Sequence, residues 1–315
     1  MSGAGGANGG NGTVRHSGAP RIGLLITYLR EEEKLILKAA RARGVEVTTL
    51  LERTLALDMS APDAASAGFE VDAVLDRCVA HLPAGYTLKT FERWGVPTIN
   101  LATATAICDD KALTSLALER AGVRTPRTLL AFSIDSALVA CERIGYPAVL
   151  KPVTGSWGRL LTKVNGPEQA RTILEQKKEL GSIHHSIFYV QEFLEKPDRD
   201  IRAFVVGERV IAASYRTARH WITNTARGAV SVTCPVTPEI EEIALRSTRA
   251  VGARWAGVDL IETADGFTCV EVNTGGEFHG LMTTTDIDIA AEIVDEVLLA
   301  DRVRGDFGLA HAWPT

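Results

Sequence analysis

Residues 257 to 273 place an aspartate, a glutamate and an asparagine at one end of two apolar runs. The first run is Gly257-Val258-Asp259-Leu260-Ile261-Glu262-Thr263, the second Phe267-Thr268-Cys269-Val270-Glu271-Val272-Asn273, and Ala264-Asp265-Gly266 joins them. The pattern predicts two antiparallel strands. A three-residue loop closing on Thr263 and Phe267 uses Gly266 at the left-handed position such loops favour. That register sets Val258 opposite Val272 and Leu260 opposite Val270 on one apolar face. On the other face it sets Asp259 opposite Glu271, with Asn273 two residues on. A two-residue Asp-Gly turn pairs Asp259 with Val272 and scrambles both faces, so consistency selects the first register. Two carboxylates roughly 5 Å apart repel unless a cation lies between them. Few hard oxygen ligands on one face suit magnesium carrying a phosphate substrate.

Other residues could handle anions. Lys151 ends the apolar strand Pro147-Ala148-Val149-Leu150-Lys151-Pro152, where an unpaired lysine is normally excluded from the core. Gly155-Ser156-Trp157-Gly158-Arg159 follows, a loop with backbone N–H groups and a hydroxyl that can fold over phosphates; it lacks the Walker string. Asp109-Asp110-Lys111 opens a helix with carboxylates where the helix dipole favours them. Arg202, Arg216, Arg219 and Arg227 fall close together in an acidic chain and suit forked bonds to phosphate or carboxylate. There is no Gly-x-Ser-x-Gly nucleophile elbow. His184, His185 and His220 read as surface or supporting residues, and Cys269 as a packed thiol.

These residues need a scaffold. The 315 residues suffice for two or three lobes. A net charge of −5 and sparse aromatics argue against general nucleic-acid binding. Five cysteines without a CxxC pair read as reduced, buried thiols of a cytoplasmic protein. No apolar run is long enough to span a membrane. Strands at 21–27, 45–51, 72–76 and 98–100, with a helix over 31–43, predict a small parallel sheet. Lacking a GxGxxG fingerprint, this segment reads as a scaffold lobe. Helices are expected at 112–121, 133–144, 167–180, 237–251 and 289–300, and strands at 188–193, 200–206 and 209–216. The second half is thus mixed α+β with antiparallel hairpins.

Taken in order, Lys111, Lys151, the 155–159 loop, Gln191-Glu192-Phe193-Leu194, Asp200-x-Arg202, Asn224-x-x-Arg227-Gly228 and Asp259…Glu271-x-Asn273 resemble the ATP-grasp carboxylate–amine ligases. The resemblance spans roughly residues 20 to 300. Lys151 to Leu161 and Arg219 to Gly228 are most similar to the LysX branch of the LysX/RimK group. This implies an ATP-grasp fold, α/β plus α+β, with an N-terminal parallel-sheet lobe. Its divisions would be a disordered Gly-rich tail (1–20), an N-terminal α/β lobe (21–105), a central lobe (106–188), a C-terminal lobe carrying the metal hairpin (189–302) and a C-terminal tail (303–315).

The resemblance also implies roles. Lys111 and Lys151 would contact the ATP phosphates, and Gly155, Ser156, Trp157 and Gly158 would close over them. Gln191, Glu192, Phe193 and Leu194 would hold adenine by strand-edge hydrogen bonds, with Asp200 beside the nucleotide. Asp259, Glu271 and Asn273 would hold magnesium. Arg202, Asn224 and Arg227 would be catalytic at the γ-phosphate and acyl group. Arg216, Asn273, Thr274 and Gly275 would lie at the substrate. Implied partners are a small acidic carrier protein ending in glutamate and a free amino acid (2-aminoadipate, glutamate or a relative), in a cytoplasmic homo-oligomer, dimer or tetramer. Two alternatives are a RimK-like ligase adding glutamate to a ribosomal protein or a peptide, which usually lacks a tryptophan at position 157, and a non-catalytic nucleotide-binding regulator. The chain departs from the LysX branch at His279-Gly280, where a basic–amide pair is usual. That departure bears on which amino acid enters.

Overall fold

The computed structural model describes residues 18–79, 81–155, 159–179, 187–223 and 228–302. Most of the N-terminal tail, Ser156 to Gly158, Asn224 to Arg227 and residues 303–315 lie outside them.

The chain opens with β1 (Arg21–Ile26), α1 (Glu31–Ala42), β2 (Glu46–Leu51), β3 (Ala73–Asp76), α2 (His81–Arg93) and β4 (Thr98–Ile99). The four strands form a parallel sheet in the order β2-β1-β3-β4. The central strands β1 and β3 are apolar and buried on both faces, as a parallel sheet requires, whereas the edge strand β2 is largely exposed. Helix α2 was not apparent as a separate element in the sequence; its buried face is Ala84, Thr87, Leu88, Thr90 and Phe91.

Next come α3 (Ala102–Asp109), α4 (Lys111–Arg120), β5 (Thr128–Ala131), α5 (Ile134–Ile144), β6 (Ala148–Lys151), β7 (Thr162–Val164), α6 (Pro167–Glu179) and β8 (Phe188–Glu192). Asp109 ends α3 rather than opening α4, and Asp110 alone caps α4, accepting from the N–H groups of Ala112 and Leu113. The second sheet runs β5-β8-β6-β7, all antiparallel, with α5 and α6 on its buried face.

The third sheet is built from β9 (Arg199–Val206), β10 (Arg209–Thr217), β11 (Val230–Thr233), β12 (Trp255–Thr263) and β13 (Gly266–Asn273), in the order β11-β10-β9-β12-β13. Helix α7 (Pro238–Ala250) covers one face, where Val258, Leu260, Cys269 and Val272 are buried with Ile240 and Ala244. On the other face, Phe204 and Trp255 share a core with β1, β3 and the last helix, α9 (Ile289–Arg302), which follows the short α8 (His279–Met282). The N-terminal and C-terminal sheets are therefore joined through apolar packing. Asn100 reinforces the joint: buried, it donates to the Trp255 carbonyl (2.8 Å) and accepts from the N–H groups of Arg254 (2.6 Å) and Trp255 (3.0 Å).

The β12–β13 hairpin corrects part of the register read from sequence. At its tip Thr263 pairs with Gly266, so the loop has two residues, Ala264 and Asp265, and Leu260 faces Cys269 rather than Val270. Continued unbroken, that pairing would set Asp259 against Val270. A bulge between Leu260 and Asp259 absorbs one residue of β13, and beyond it Asp259 faces Glu271, Val258 faces Val272 and Gly257 faces Asn273. An extra residue on one strand reverses which face its later side chains occupy. The bulge lets a tight turn coexist with a continuous apolar face and two facing carboxylates. Gly266, at φ +111°, takes the turn conformation that other residues avoid.

Candidate active site

The site lies between the second and third sheets and is built around Asp259 and Glu271. At about 5 Å and an effective dielectric near 20, two carboxylates repel by about 3 kcal/mol. The protein's own cations offset this. Lys111, the first residue of α4, reaches Glu271 at 3.2 Å and donates to the Gly155 carbonyl at 2.6 Å. On the same scale the 3.2 Å pair gives about 5 kcal/mol of gross attraction. Helix α4 is held in place to do this, since Lys111 N–H donates to the Val153 carbonyl (2.8 Å) and Asp110 bridges Thr154. Burial opposes ionisation of Glu271, but Lys111 and Lys151 overrule it and lower its pKa. Lys151, buried at the end of β6, has its pKa lowered by burial to about 8, with Glu271 pulling the other way.

Asp259 faces two arginines. Arg202 of β9 and Arg216 of β10 approach its Oδ1 at 3.2 and 3.1 Å. Arg202 also donates to the Gly257 carbonyl at 3.1 Å, and only a glycine leaves room for its side chain there: a Cβ at position 257 would lie 3.0 Å from Arg202 Cδ. Arg216 is buried and bonds Asp200 through Nε at 2.6 Å. Burial lifts the Asp259 carboxyl, whereas Asp259 and Asp200 hold the Arg216 guanidinium above its usual pKa against the same burial. The two directions conflict for a single pair; the 3.1 Å contact favours the ionised form of both. Despite these neighbours, Asp259 Oδ1 makes no hydrogen bond of proper geometry. Asp200 also accepts from Thr223, which in turn receives a bond from Lys196 at 2.9 Å.

Two cavities meet at Arg216, Asp259 and Glu271. One is narrow and lies between the sheets, with apolar walls from Val149, Leu161, Phe193, Trp221 and Ile261; Gln191, Glu192, Leu194, Asp200 and Lys151 also border it. The other is a wider cleft of about 440 Å³, bordered by Arg202, Asn273, Thr274 and Gly275 and by Arg30, His81, Glu277 and His279. A small recess beside them brings Lys111, Gly155, Glu271, Asn273 and Thr274 together.

The structure thus assembles Lys111, Lys151, Gly155, Asp200, Arg202, Arg216, Asp259, Glu271, Asn273, Thr274 and Gly275 around one junction. Ser156, Trp157, Gly158, Asn224 and Arg227 fall outside the described residues. Arg219 and His220 border neither cavity. The strand-edge role expected for Gln191 needs correction. β8 is paired on both sides, by β5 and β6, and the Gln191 side chain donates to Thr128 (3.1 Å) and Tyr189 (2.9 Å). The Glu192 N–H is bonded to the Arg127 carbonyl. Only Phe193 and Leu194, past the strand's end, leave the ladder.

Lys196 was missed on the narrow side, where Trp221 and Thr223 were read only as part of the 219–228 string and given no role, and Arg30, Cys78, Val79 and His81 were missed in the cleft. Lys196 lay in a loop with no pattern of its own. The cleft residues come from the segment read as scaffold; the one signal was Arg77, a charge directly after the apolar strand β3.

Hard oxygens from Asp259 and Glu271, among them the buried Asp259 Oδ1 that has no hydrogen bond, and the Asn273 amide beside them fit a magnesium ion shared with phosphate. Among the described residues no three His, Cys, Asp or Glu side chains form a self-contained metal site.

A carboxylate pair framed by two lysines and two arginines lies at the meeting of two cavities between antiparallel sheets, and the chain's similarity to known ligases makes this the site of an ATP-grasp ligase, an enzyme that makes C–N bonds at the expense of ATP. The chain belongs to the RimK-like ATP-grasp family, whose domain matches residues 108–297, preceded by a LysX preATP-grasp domain over 22–107. It is 30% identical over 278 residues to the alpha-aminoadipate–LysW ligase LysX of Sulfurisphaera tokodaii (88% of this chain, 97% of that one). It is 31% identical over 282 residues to the glutamate–LysW ligase ArgX of Sulfolobus acidocaldarius (88% and 98%). With the tetrahydromethanopterin:alpha-L-glutamate ligase of Methanococcus maripaludis it shares 38% over 216 residues (67% and 72%). Among solved structures, a RimK domain ATP-grasp protein from Sphaerobacter thermophilus superposes with a TM-score of 0.75 at 27% identity, over 88% of this chain and 99% of that one. Among the described residues no helix is long and apolar enough to cross a membrane.

Proposed function

We propose that this ligase joins the α-amine of an amino acid to the C-terminal glutamate carboxylate of a small acidic, LysW-like carrier protein, in the cytoplasm. The observation that carries the reading is the meeting of the narrow cavity and the wide cleft at Arg216, Asp259 and Glu271. A nucleotide in the first cavity and a carboxylate and amine in the second would share that junction. Similarity over 88% of the chain to two ligases named for LysW supports the carrier, and both name an acidic amino acid, 2-aminoadipate or glutamate.

Bound ATP supplies the phosphoryl group that activates the carboxylate as acyl phosphate, and bound magnesium offsets phosphate charge. The apolar walls at Val149, Leu161 and Trp221 take the adenine, and backbone groups at Phe193 and Leu194 its polar edge. Lys111 and Lys151 hold phosphate oxygens, and Asp259, Glu271 and Asn273 hold magnesium. Arg202 and Arg216 face the carboxylate being activated and stabilise charge that develops on its oxygens. Thr274 and Gly275 orient the amine. An α-amine with an unperturbed pKa near 7.7–8.0 is partly neutral at physiological pH, so holding it in place supplies much of the rate.

Incubating the enzyme with ATP, magnesium, a LysW-type carrier and an amino-acid panel should raise the carrier's mass by one amino-acid residue and release ADP. Failure with the carrier but addition of glutamate to a ribosomal-protein tail or a peptide would replace this reading with the RimK-like one.

A further inference from the structure

The cleft wall from Asn273 to His279 contains Gly275 (φ +66°) and Gly276, which offer no side chains to hold it. Its backbone is held from the N-terminal lobe. Arg77, just after β3, donates through Nη1 to the carbonyls of Gly275 (2.8 Å) and Gly276 (3.1 Å). Glu32, in the first turn of α1, accepts from the N–H groups of Phe278 and His279, both at 2.6 Å. The two side chains pair with each other, and Arg77 Nε reaches Glu33 at 2.9 Å. The Arg77 guanidinium lies 5.3 Å from the Trp255 ring centre and 5.5 Å from that of Phe278. The Arg77 and Glu33 side chains are 0% exposed and that of Glu32 5%. Arg30 continues the network outward, bonding Glu33 (2.8 Å) and the Arg77 carbonyl (3.2 Å) and reaching Glu277 at 3.4 Å in the cleft.

Burying such charges is costly unless each finds full partners, and here the partners include four backbone groups of a cleft wall. Phe278, itself 1% exposed, already anchors the segment apolarly. The charged grip adds what an apolar anchor lacks, a fixed backbone direction.

We propose that Glu32 and Arg77 are positioning residues for ligation. They clamp the backbone of residues 275–279 so that Glu277 and His279 face the cleft and set which amino acid is accepted. Glu32 and Arg77 grip the segment through its backbone and the Phe278 ring, and only Arg30 reaches Glu277, so positions 277 and 279 can change specificity while the Glu32 and Arg77 contacts stay in place. The proposal rests on reading the wide cleft as the amino-acid side.

The test measures binding of glutamate and 2-aminoadipate to full-length protein holding a non-hydrolysable ATP analogue, with hydrogen exchange at the Phe278 and His279 amides. Both N–H groups donate to one Glu32 oxygen and Arg77 to the other, so in Glu32→Gln the new NH₂ must face either the Arg77 guanidinium or both N–H groups, donor against donor. Amino-acid affinity should fall tenfold or more, analogue affinity should stay within twofold, and both amides should lose protection at least tenfold. Arg43→Ala, in the same helix's C-cap, should change none of these. Should Glu32→Gln misfold, Glu277→Gln and His279→Lys decide: each should shift the glutamate to 2-aminoadipate preference at least fivefold with amide protection intact. Equal losses of analogue and amino acid, or lost protection with unchanged amino-acid affinity, would overturn the clamp. So would an unchanged preference in both cleft variants. If the wild type binds the amino acid, and Glu32→Gln weakens that binding, but no carrier is modified, the clamp stands and the carrier reading fails.

Discussion

Lys151 offers a direct test of the phosphate side. Burial lowers its pKa to about 8, although Glu271 opposes the shift. Phosphates bound beside it would favour the ammonium and return its pKa towards the ordinary value near 10.4. Binding is then coupled to proton uptake above pH 8. With pKa values of about 8 free and about 10.5 bound, the protonated fraction of the free site falls from about nine-tenths at pH 7 to about one-tenth at pH 9. Nucleotide affinity should drop roughly tenfold over that range, equivalent to about 1.4 kcal/mol. Calorimetry of a non-hydrolysable ATP analogue at pH 8, in buffers of different ionisation enthalpy, should reveal uptake of about half a proton. Lys151→Arg remains charged throughout, so its pH slope should be flat apart from the nucleotide's own titration, whatever its absolute affinity. Identical slopes for wild type and Lys151→Arg would refute the argument. The ligand-free protein carries the opposite sign. Between pH 8 and 10.5 the folded state binds fewer protons at Lys151 than the unfolded chain, so this residue's contribution to stability rises with pH over that window.

Glu271→Gln should cut ADP release at least a hundredfold, because magnesium and Lys111 lose their shared carboxylate. Relief of the repulsion with Asp259 should keep the melting temperature within a few degrees, so retained turnover would sink the metal assignment. Gly257→Ala places a Cβ 3.0 Å from Arg202 Cδ and forces the guanidinium off Asp259; kcat should fall at least tenfold with ATP affinity within threefold, and an unaffected kcat would remove Arg202 from the chemistry. Asn100→Ala removes three buried bonds between lobes and leaves their backbone partners unpaired, at about 1–3 kcal/mol each. Calorimetric melting should occur several degrees lower; an unchanged midpoint would mean that the apolar interface alone joins the lobes.

The site end of the hairpin was legible because an alternation of period two, with carboxylates on one face, admits few registers. Asp259 opposite Glu271 and Val258 opposite Val272 follow from that alone. The tip was not legible. A two-residue turn and a three-residue turn both fit Ala264-Asp265-Gly266, and the bulge that reconciles the tight turn with the buried face has no local signature. Lys151 was readable as an anion handler because a lysine ending a buried strand needs a reason, whereas Lys111, at an ordinary charged helix start, acquired that role only through the family resemblance. Their meeting at Glu271 was not readable, since 120 residues separate Lys151 from its partner.

Sequence by itself determined the parallel-sheet lobe, the mixed α+β remainder and the carboxylate pair, because residue type and short-range period dictate these, and the resemblance carried by its motifs implied the ATP-grasp fold and the lysines that serve phosphate. Only the tertiary structure decided that the charges on Asp259 and Glu271 are met by Arg202, Arg216 and Lys111 from three different elements. It also decided that the N-terminal lobe, which reads as scaffold, reaches through Arg77 and Glu32 to hold the cleft wall. Both are long-range pairings. They depend on how sheets stack and which buried charges that stacking leaves in need of partners, and no local pattern of residues encodes that.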